Sequence, residues 1–188
     1  MSIPTVVLAA GASSRLGEPK QLIRLGRENL LERAVRVARE AGCVPVVVVV
    51  GSGYAHVLAN SMLGDVVTVI NDKWEEGMAS SIRLGVGALR FVAKDSEGVV
   101  LMTCDQPAVT TKHLFQLTLR AEMKASRYAG RNGIPAFFPK EHFDALMALS
   151  GDKGARELLV TARSEELPGG DLDVDTAEDL AQAREIFG

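Results

Sequence analysis

A chain of 188 residues, 47% hydrophobic and 24% charged, has the length and apolar content for one domain with a sizeable core. Its net charge of -3 and pI near 5.7 argue against a nucleic-acid surface or an anionic membrane as main partner, so an anionic ligand must be met by a local group of cations. No stretch reaches the roughly 18 uninterrupted apolar residues of a membrane helix, and no basic N-terminal region leads into a cleavable apolar run, which predicts a cytoplasmic protein.

Residues 4–9 (PTVVLA) and 44–50 (VPVVVVV) are continuous apolar runs rich in β-branched residues, the pattern of strands covered on both faces of a parallel sheet. Between them Leu30, Leu31, Ala34, Val35, Ala38 and Ala41 recur at helical spacing, with Asn29 placed to cap the start and Gly42 to end the helix. The alternation continues with a helix over 54–62, a strand over 66–70, a helix over 79–93 and a strand over 99–103. Strand and helix repeated at this interval predict a single α/β domain over residues 1–188, doubly wound, with ligands outside the carboxyl ends of its strands. The turns at Ala10, Asn71 and Cys104 are therefore expected to share one edge. Beyond Thr110 the pattern loosens into a helix, a polar strand near 127–129, the segment RNGIPAFFP, where an acceptor site fits, and a helical stretch from Pro139 carrying Phe143, Leu146, Met147 and Leu149. The chain closes with DLDVDTAEDL and a last helix.

The first strand runs into VVLAAGASSRLGEPK, residues 6–20. Gly11 lets backbone N–H groups approach an anion, Ser13 and Ser14 add hydroxyl donors, and Arg15 and Lys20 bring fixed positive charge. The loop is not a Walker P-loop, because Gly17 is followed by Glu18 and Pro19 rather than by lysine. Taken alone, a glycine turn after a strand is more often a βα turn with its charges in water. Asp105, in TCDQP after the fourth predicted strand, is a turn residue by the ordinary reading. Beside a cationic glycine loop it becomes a ligand for Mg²⁺, which takes one or two carboxylates together with phosphates and water. Asp173 and Asp175 are candidates for the second carboxylate, although Asp175 and Thr176 also suit the N-cap of the final helix. In NDKWEEGMASSIR, residues 71–83, Ser80 and Ser81 serve either a base and ribose or a helix start, and Trp74 either a ligand or the sheet.

Gly51-Ser52-Gly53 resembles the start of the dinucleotide fingerprint, but His56 stands where its third glycine belongs. Gly85 and Gly87, inside a helical stretch, fit close helix packing. A dinucleotide-binding oxidoreductase is thus a minor alternative. Cys43 and Cys104 lack redox or zinc spacing and read as small buried residues, and His56, His113 and His142 form neither a metal cluster nor a triad.

LAAGASSRLGEPK, NDKWEEGMASS, CDQP, the GIP of residues 133–135, GDKGARELL and DVDTAEDL together resemble the molybdenum cofactor nucleotidyltransferases, most closely the molybdopterin cytidylyltransferases. The ordered set spans essentially the whole chain and is far more specific than the first motif alone. The resemblance implies a Rossmann-like three-layer domain with a mostly parallel twisted sheet, of the nucleotide-diphospho-sugar transferase kind. It implies that Leu8, Ala9, Ala10 and Gly11 contact the base, with Ala10 favouring CTP where guanylyl-transferring relatives tend to carry glycine. Arg15 and Lys20 would take the triphosphate, Ser80 and Ser81 the base, and Asp105, with Asp175 by looser analogy, a magnesium ion. Gly133, Ile134 and Pro135 would face the pterin of a molybdopterin-type acceptor, although many relatives have histidine at the position of Ile134. A recipient molybdoenzyme or its chaperone is the implied partner. Two alternatives stand beside this one: transfer to a sugar or polyol phosphate, and a nucleotide-binding module that delivers cofactor without turnover.

Overall fold

The computed structural model describes residues 3–152 and 154–188, so Lys153 of the GDKGARELL motif lies outside the described residues. In chain order its strands and helices begin with β1 (Thr5–Ala9), a hairpin of β2 (Arg24–Leu25) and β3 (Glu28–Asn29), and α1 (Leu30–Glu40). Then come β4 (Val46–Val50), α2 (Tyr54–Ala59), β5 (Val67–Ile70), α3 (Met78–Val92), β6 (Gly98–Thr103) and α4 (Thr111–Thr118). The C-terminal part adds β7 (Lys124–Tyr128), β8 (Arg131–Pro139), α5 (Phe143–Met147), β9 (Arg163–Glu166) and α6 (Ala177–Phe187).

Seven strands form one sheet in the order β5-β4-β1-β6-β8-β7-β9. The first four are mutually parallel, β9 runs parallel to β7, and β8 alone runs against both of its neighbours. Because successive side chains of a strand point to opposite faces, the valine runs fill two cores at once. Val7, Val48 and Val100 pack under α1 and α4 with Leu31, Leu114 and Leu117. Val6, Val47 and Leu101 pack on the other face with Ile82, Val86 and Leu89 of α3 and Leu146 of α5. A third cluster joins Ile23, Leu25 and Leu30 to Val174 and to Leu180 of α6. That cluster draws the C-terminal segment back over the loop that follows β1. Among the described residues no helix is long and apolar enough to cross a membrane.

The expected β-α-β start is present, with Asn29 and Glu32 forming a reciprocal capping box at α1 and Gly42 at φ +75° just beyond its end. Gly85 sits where an added Cβ would lie 2.4 Å from Val6 Cγ1, so α3 rests directly on β1; Gly87 meets nothing nearer than 3.9 Å. Several bounds differ from the sequence pattern. The helix expected over 54–62 stops at Ala59. The polar strand near 127–129 begins earlier, at Lys124, and ends before Ala129, which turns at φ +48°. The stretch from Pro139 divides into a 3-10 turn, Lys140–His142, and the short α5.

Candidate active site

Because β1, β4, β5 and β6 are parallel, their carboxyl ends face one edge, and the loops there are tied together. Ser52 N–H donates to Ala10 O at 3.1 Å, and Asn71 N–H donates to Val50 O at 2.7 Å. The loop after β1 is held from within: Gln21 Nε2 donates to Ala9 O at 2.8 Å and to Gly11 O at 3.1 Å, and Lys20 N–H donates to Ser13 Oγ at 2.9 Å. Pro19 precedes a single 3-10 turn, Lys20–Leu22, that aims the lysine back across the sheet edge.

Lys20 Nζ lies 2.5 Å from Asp105 Oδ2 and 2.5 Å from Asp175 Oδ1, with the Lys20 and Asp105 side chains 16% and 12% exposed. Burial works against the ammonium, but Asp105 and Asp175 outweigh it and hold its pKa above the ordinary lysine value. Arg15 stands at the rim, 72% exposed, with Nη2 3.6 Å from Asp175 Oδ2. Asp105 reaches this point from the end of β6, and its chain is pinned to the C-terminal segment by Val174 N–H donating to Asp105 O at 3.0 Å. Asp175 comes from the residue before Thr176, which caps α6. Asp173 sits beside them; burial, then the neighbouring charges of Asp105 and Asp175, push its carboxyl up to about 7.

Two clefts meet at this ion-paired group. The larger, about 620 Å³, is lined by Leu8, Ala9, Ala10 and Gly11, by Trp74 through Met78, and by Lys20, Ser81 and Asp105. The smaller, about 250 Å³, is lined by Gly133, Ile134, Tyr128, Arg156, Asp173 and Asp175, and it shares Lys20, Thr103 and Asp105 with the first. Three sequence candidates, Arg15 at the rim, Ser80 and Pro135, stand outside these walls. Ser80 is buried behind the larger cleft: its hydroxyl accepts from Asn71 Nδ2 at 2.8 Å and lies 2.8 Å from Gly77 O, so it braces the start of α3. Ser81 accepts from the same amide at 2.9 Å. Pro135 is likewise behind the smaller cleft, its carbonyl accepting from the Ser126 hydroxyl.

Sequence reasoning passed over Gln21, Asn71 and Arg156, and it left Trp74 undecided. The Gln21 and Asn71 amides bond to backbone or hydroxyl partners that only the fold reveals, and Arg156 reaches the smaller cleft from a distant turn. Gly51 has no room for a side chain, since a Cβ there would lie 2.7 Å from Ala10 O and 2.8 Å from Trp74 Cβ. Gly51-Ser52-Gly53 therefore shapes the cleft wall. Cys104 is buried and its thiol is pushed up to about 12 by that burial, leaving it inert. His113 is held by Ser126, away from the clefts.

The chemistry of these groups is that of polyphosphate and hard cations. Asp105 Oδ1 is buried without a hydrogen-bond partner, an orphaned oxygen of the kind a divalent cation satisfies. Among the described residues no cluster of three or more ligating side chains occurs. Two carboxylates completed by phosphate oxygens match Mg²⁺-type coordination better than a closed protein cage.

Residues 5–167 match the MobA-like NTP transferase domain family. The chain is 30% identical to the nicotine blue oxidoreductase of Paenarthrobacter nicotinovorans, over 93% of each chain. A stretch of 43 residues is 56% identical to a probable molybdenum cofactor guanylyltransferase of Opitutus terrae, covering 23% of this chain and 21% of that one. The crystal structure of Rv0371c from Mycobacterium tuberculosis H37Rv superposes with a TM-score of 0.86 at 34% identity, covering 98% of both chains. Rv0371c has also been solved in complex with manganese; that structure matches with a TM-score of 0.79 at 32% identity, over 98% of this chain and 99% of that one.

Proposed function

Because the chain belongs to the MobA-like NTP transferase family, we propose that it transfers a cytidylyl group from CTP to the phosphate of molybdopterin and releases pyrophosphate. The observation that carries this reading is the shared boundary of the two clefts, where Lys20 and Asp105 belong to both. A nucleotide in the larger cleft and a phosphorylated acceptor in the smaller one would meet at these two side chains. Ala10 beside Trp74 supports a base seated against that wall, and its methyl group in place of glycine favours the smaller pyrimidine.

In the reaction an acceptor phosphate oxygen attacks the α-phosphorus in line, the new P–O bond forms, and the bond to the β-phosphate oxygen breaks. Lys20 and Arg15 offset the charge of the triphosphate, and the Gly11 loop presents backbone donors to it. Asp105 and Asp175 would hold Mg²⁺, which when bound neutralises phosphate charge and orients the leaving pyrophosphate. The acceptor phosphate is already ionised near neutral pH, so the chain supplies position and charge rather than a base. The manganese complex of Rv0371c supports a divalent ion in a related fold. The cytidylylated product would pass to a molybdoenzyme or its chaperone.

The test is pyrophosphate release with each of the four nucleoside triphosphates in the presence of molybdopterin. CTP should give the highest rate, and Asp105→Ala should abolish it. Equal rates with GTP would overturn the base assignment, and release only with a sugar or polyol phosphate would overturn the acceptor. Tight CTP binding without release would make the protein a carrier. Hydride transfer is a second reading, favoured by the name of the oxidoreductase relative; it requires NADH or NADPH to bind detectably by fluorescence.

A further inference from the structure

The smaller cleft is lined by four carboxylates, Asp105, Asp152, Asp173 and Asp175, and by two cations, Lys20 and Arg156. Lys20 is already committed to Asp105 and Asp175 at 2.5 Å each. Arg156 is different: it forms no ion pair among the described residues. A wall so rich in carboxylates repels a phosphate, and an acceptor phosphate entering it needs a cation with free donors.

Arg156 also has a firm mount. It opens a 3-10 turn, Arg156–Leu159, between the buried Ala155 and Leu159. That turn is tied to β8 by Asn132 Nδ2, which donates to Leu159 O at 2.9 Å and to Ala162 O at 3.2 Å. The same strand supplies Gly133 and Ile134 to the cleft. Across it Tyr128 donates its hydroxyl to Ile134 O at 2.9 Å and leaves no room for a side chain on Gly133, whose Cβ would lie 2.3 Å from the phenol oxygen. Arg156 and Tyr128 line this same cleft.

We propose that Arg156 is the acceptor-side anchor, a guanidinium that grips the phosphate of the incoming acceptor and thereby restricts acceptors to phosphate esters. This rests on the transfer reading above, in which the smaller cleft receives the acceptor. A planar guanidinium offers paired N–H donors that match a phosphate, whereas Lys20, held by two carboxylates, has little left to give on this side.

The experiment measures binding rather than turnover. The full-length protein and Arg156→Ala are titrated with oxidised molybdopterin, followed by pterin fluorescence, with the phosphate present or removed by phosphatase. Loss of one charge-assisted phosphate contact should weaken binding of the phosphorylated pterin by about tenfold or more. The dephosphorylated pterin should bind both proteins equally, and CTP affinity should stay within about twofold in the variant. Equal affinity of the two proteins for the phosphorylated pterin, no binding to either, or a matching loss for the dephosphorylated pterin would overturn the assignment. The transfer reading is tested separately, by pyrophosphate release with CTP and molybdopterin.

Discussion

Lys20 and Asp105 meet at 2.5 Å although 85 residues separate them in the chain. Each is delivered by a parallel strand, Lys20 by the loop that leaves β1 and Asp105 by the end of β6, and those strands are hydrogen-bonded neighbours. Asp175 closes the group from the other side, brought in by the segment that leads into α6. The ion-paired group is thus a product of sheet topology. Its charges converge because adjacent parallel strands end at the same edge.

Replacing Lys20 tests that convergence directly. Lys20→Met keeps the aliphatic stem but leaves Asp105 and Asp175 facing each other without their shared ammonium. Removing one partner of a largely buried ion pair costs on the order of 3 kcal/mol, so the melting temperature measured by circular dichroism should fall while the fold survives. Pyrophosphate release should drop by about 10² to 10³, the effect of losing one preorganised charge at the developing transition state. Unchanged turnover would remove Lys20 from the chemistry.

The parts of this structure that were legible in the sequence are those with local causes. The apolar runs at 46–50 and 99–102 need burial on both faces, and Asn29 with Glu32 caps α1 within four residues. The edge that gathers Ala10, Asn71 and Cys104 followed from parallel strands alone. What escaped depended on partners distant in sequence. Glycine and proline in RNGIPAFFP hide a nine-residue strand that is stabilised by pairing with β6 and β7 on both sides. Arg163–Glu166 is too polar to signal an edge strand. Ser80 carries the composition of a binding residue, yet Asn71 turns its hydroxyl inward. Arg156 acquires a neighbourhood only when its turn is hung on Asn132.

A buried histidine and a half-buried carboxyl give the protein opposing responses to pH. The Ser126 hydroxyl is spent on Pro135 O, so His113 donates to it from Nε2; burial disfavours the charged ring and lowers its pKa to about 4. The unfolded chain takes up that proton near pH 6.5, so stability falls as pH drops from 6.5 towards 4, by up to about 3 kcal/mol. Asp173, raised to about 7, keeps a proton that the unfolded chain has lost, so its contribution falls as pH rises from about 4 to 7. Urea unfolding across pH 4–8 should show His113→Asn flattening the acid limb. Asp173→Asn should stabilise the protein at pH 8 by about 1 kcal/mol, a figure reduced for partial exposure, with no gain at pH 4.

Gly85 and Gly87 lie two residues apart in α3 and should respond in opposite ways to alanine. The new methyl at position 85 would lie 2.4 Å from Val6 Cγ1 and 3.1 Å from Val49 Cγ2, an overpacking that costs about 1 to 3 kcal/mol. At position 87 the nearest atom is Met147 Cε at 3.9 Å, so Gly87→Ala gains helix propensity of about 0.5 to 1 kcal/mol. Thermal melts of the two variants should move in opposite directions. A shared direction would contradict the contact between α3 and β1.

Gly51 and Gly53 separate a wall-shaping role from a phosphate-binding one. A Cβ on Gly51 would lie 2.7 Å from Ala10 O, 2.8 Å from Trp74 Cβ and 2.9 Å from Ala10 Cβ, and both residues line the larger cleft. Gly51→Ala should therefore push Ala10 and Trp74 apart and weaken CTP binding by about tenfold, the size of effect expected when a preformed pocket is displaced by a fraction of an ångström. Gly53 sits at φ +61° with open space where its side chain would stand, so Gly53→Ala should cost about 1 kcal/mol in stability and leave CTP affinity alone. Calorimetric titration of CTP into both variants reads the difference. If Gly53→Ala weakened nucleotide binding as much as Gly51→Ala, the Gly51–Gly53 turn would have to contact the phosphates itself, and the larger cleft would need a different orientation of its ligand.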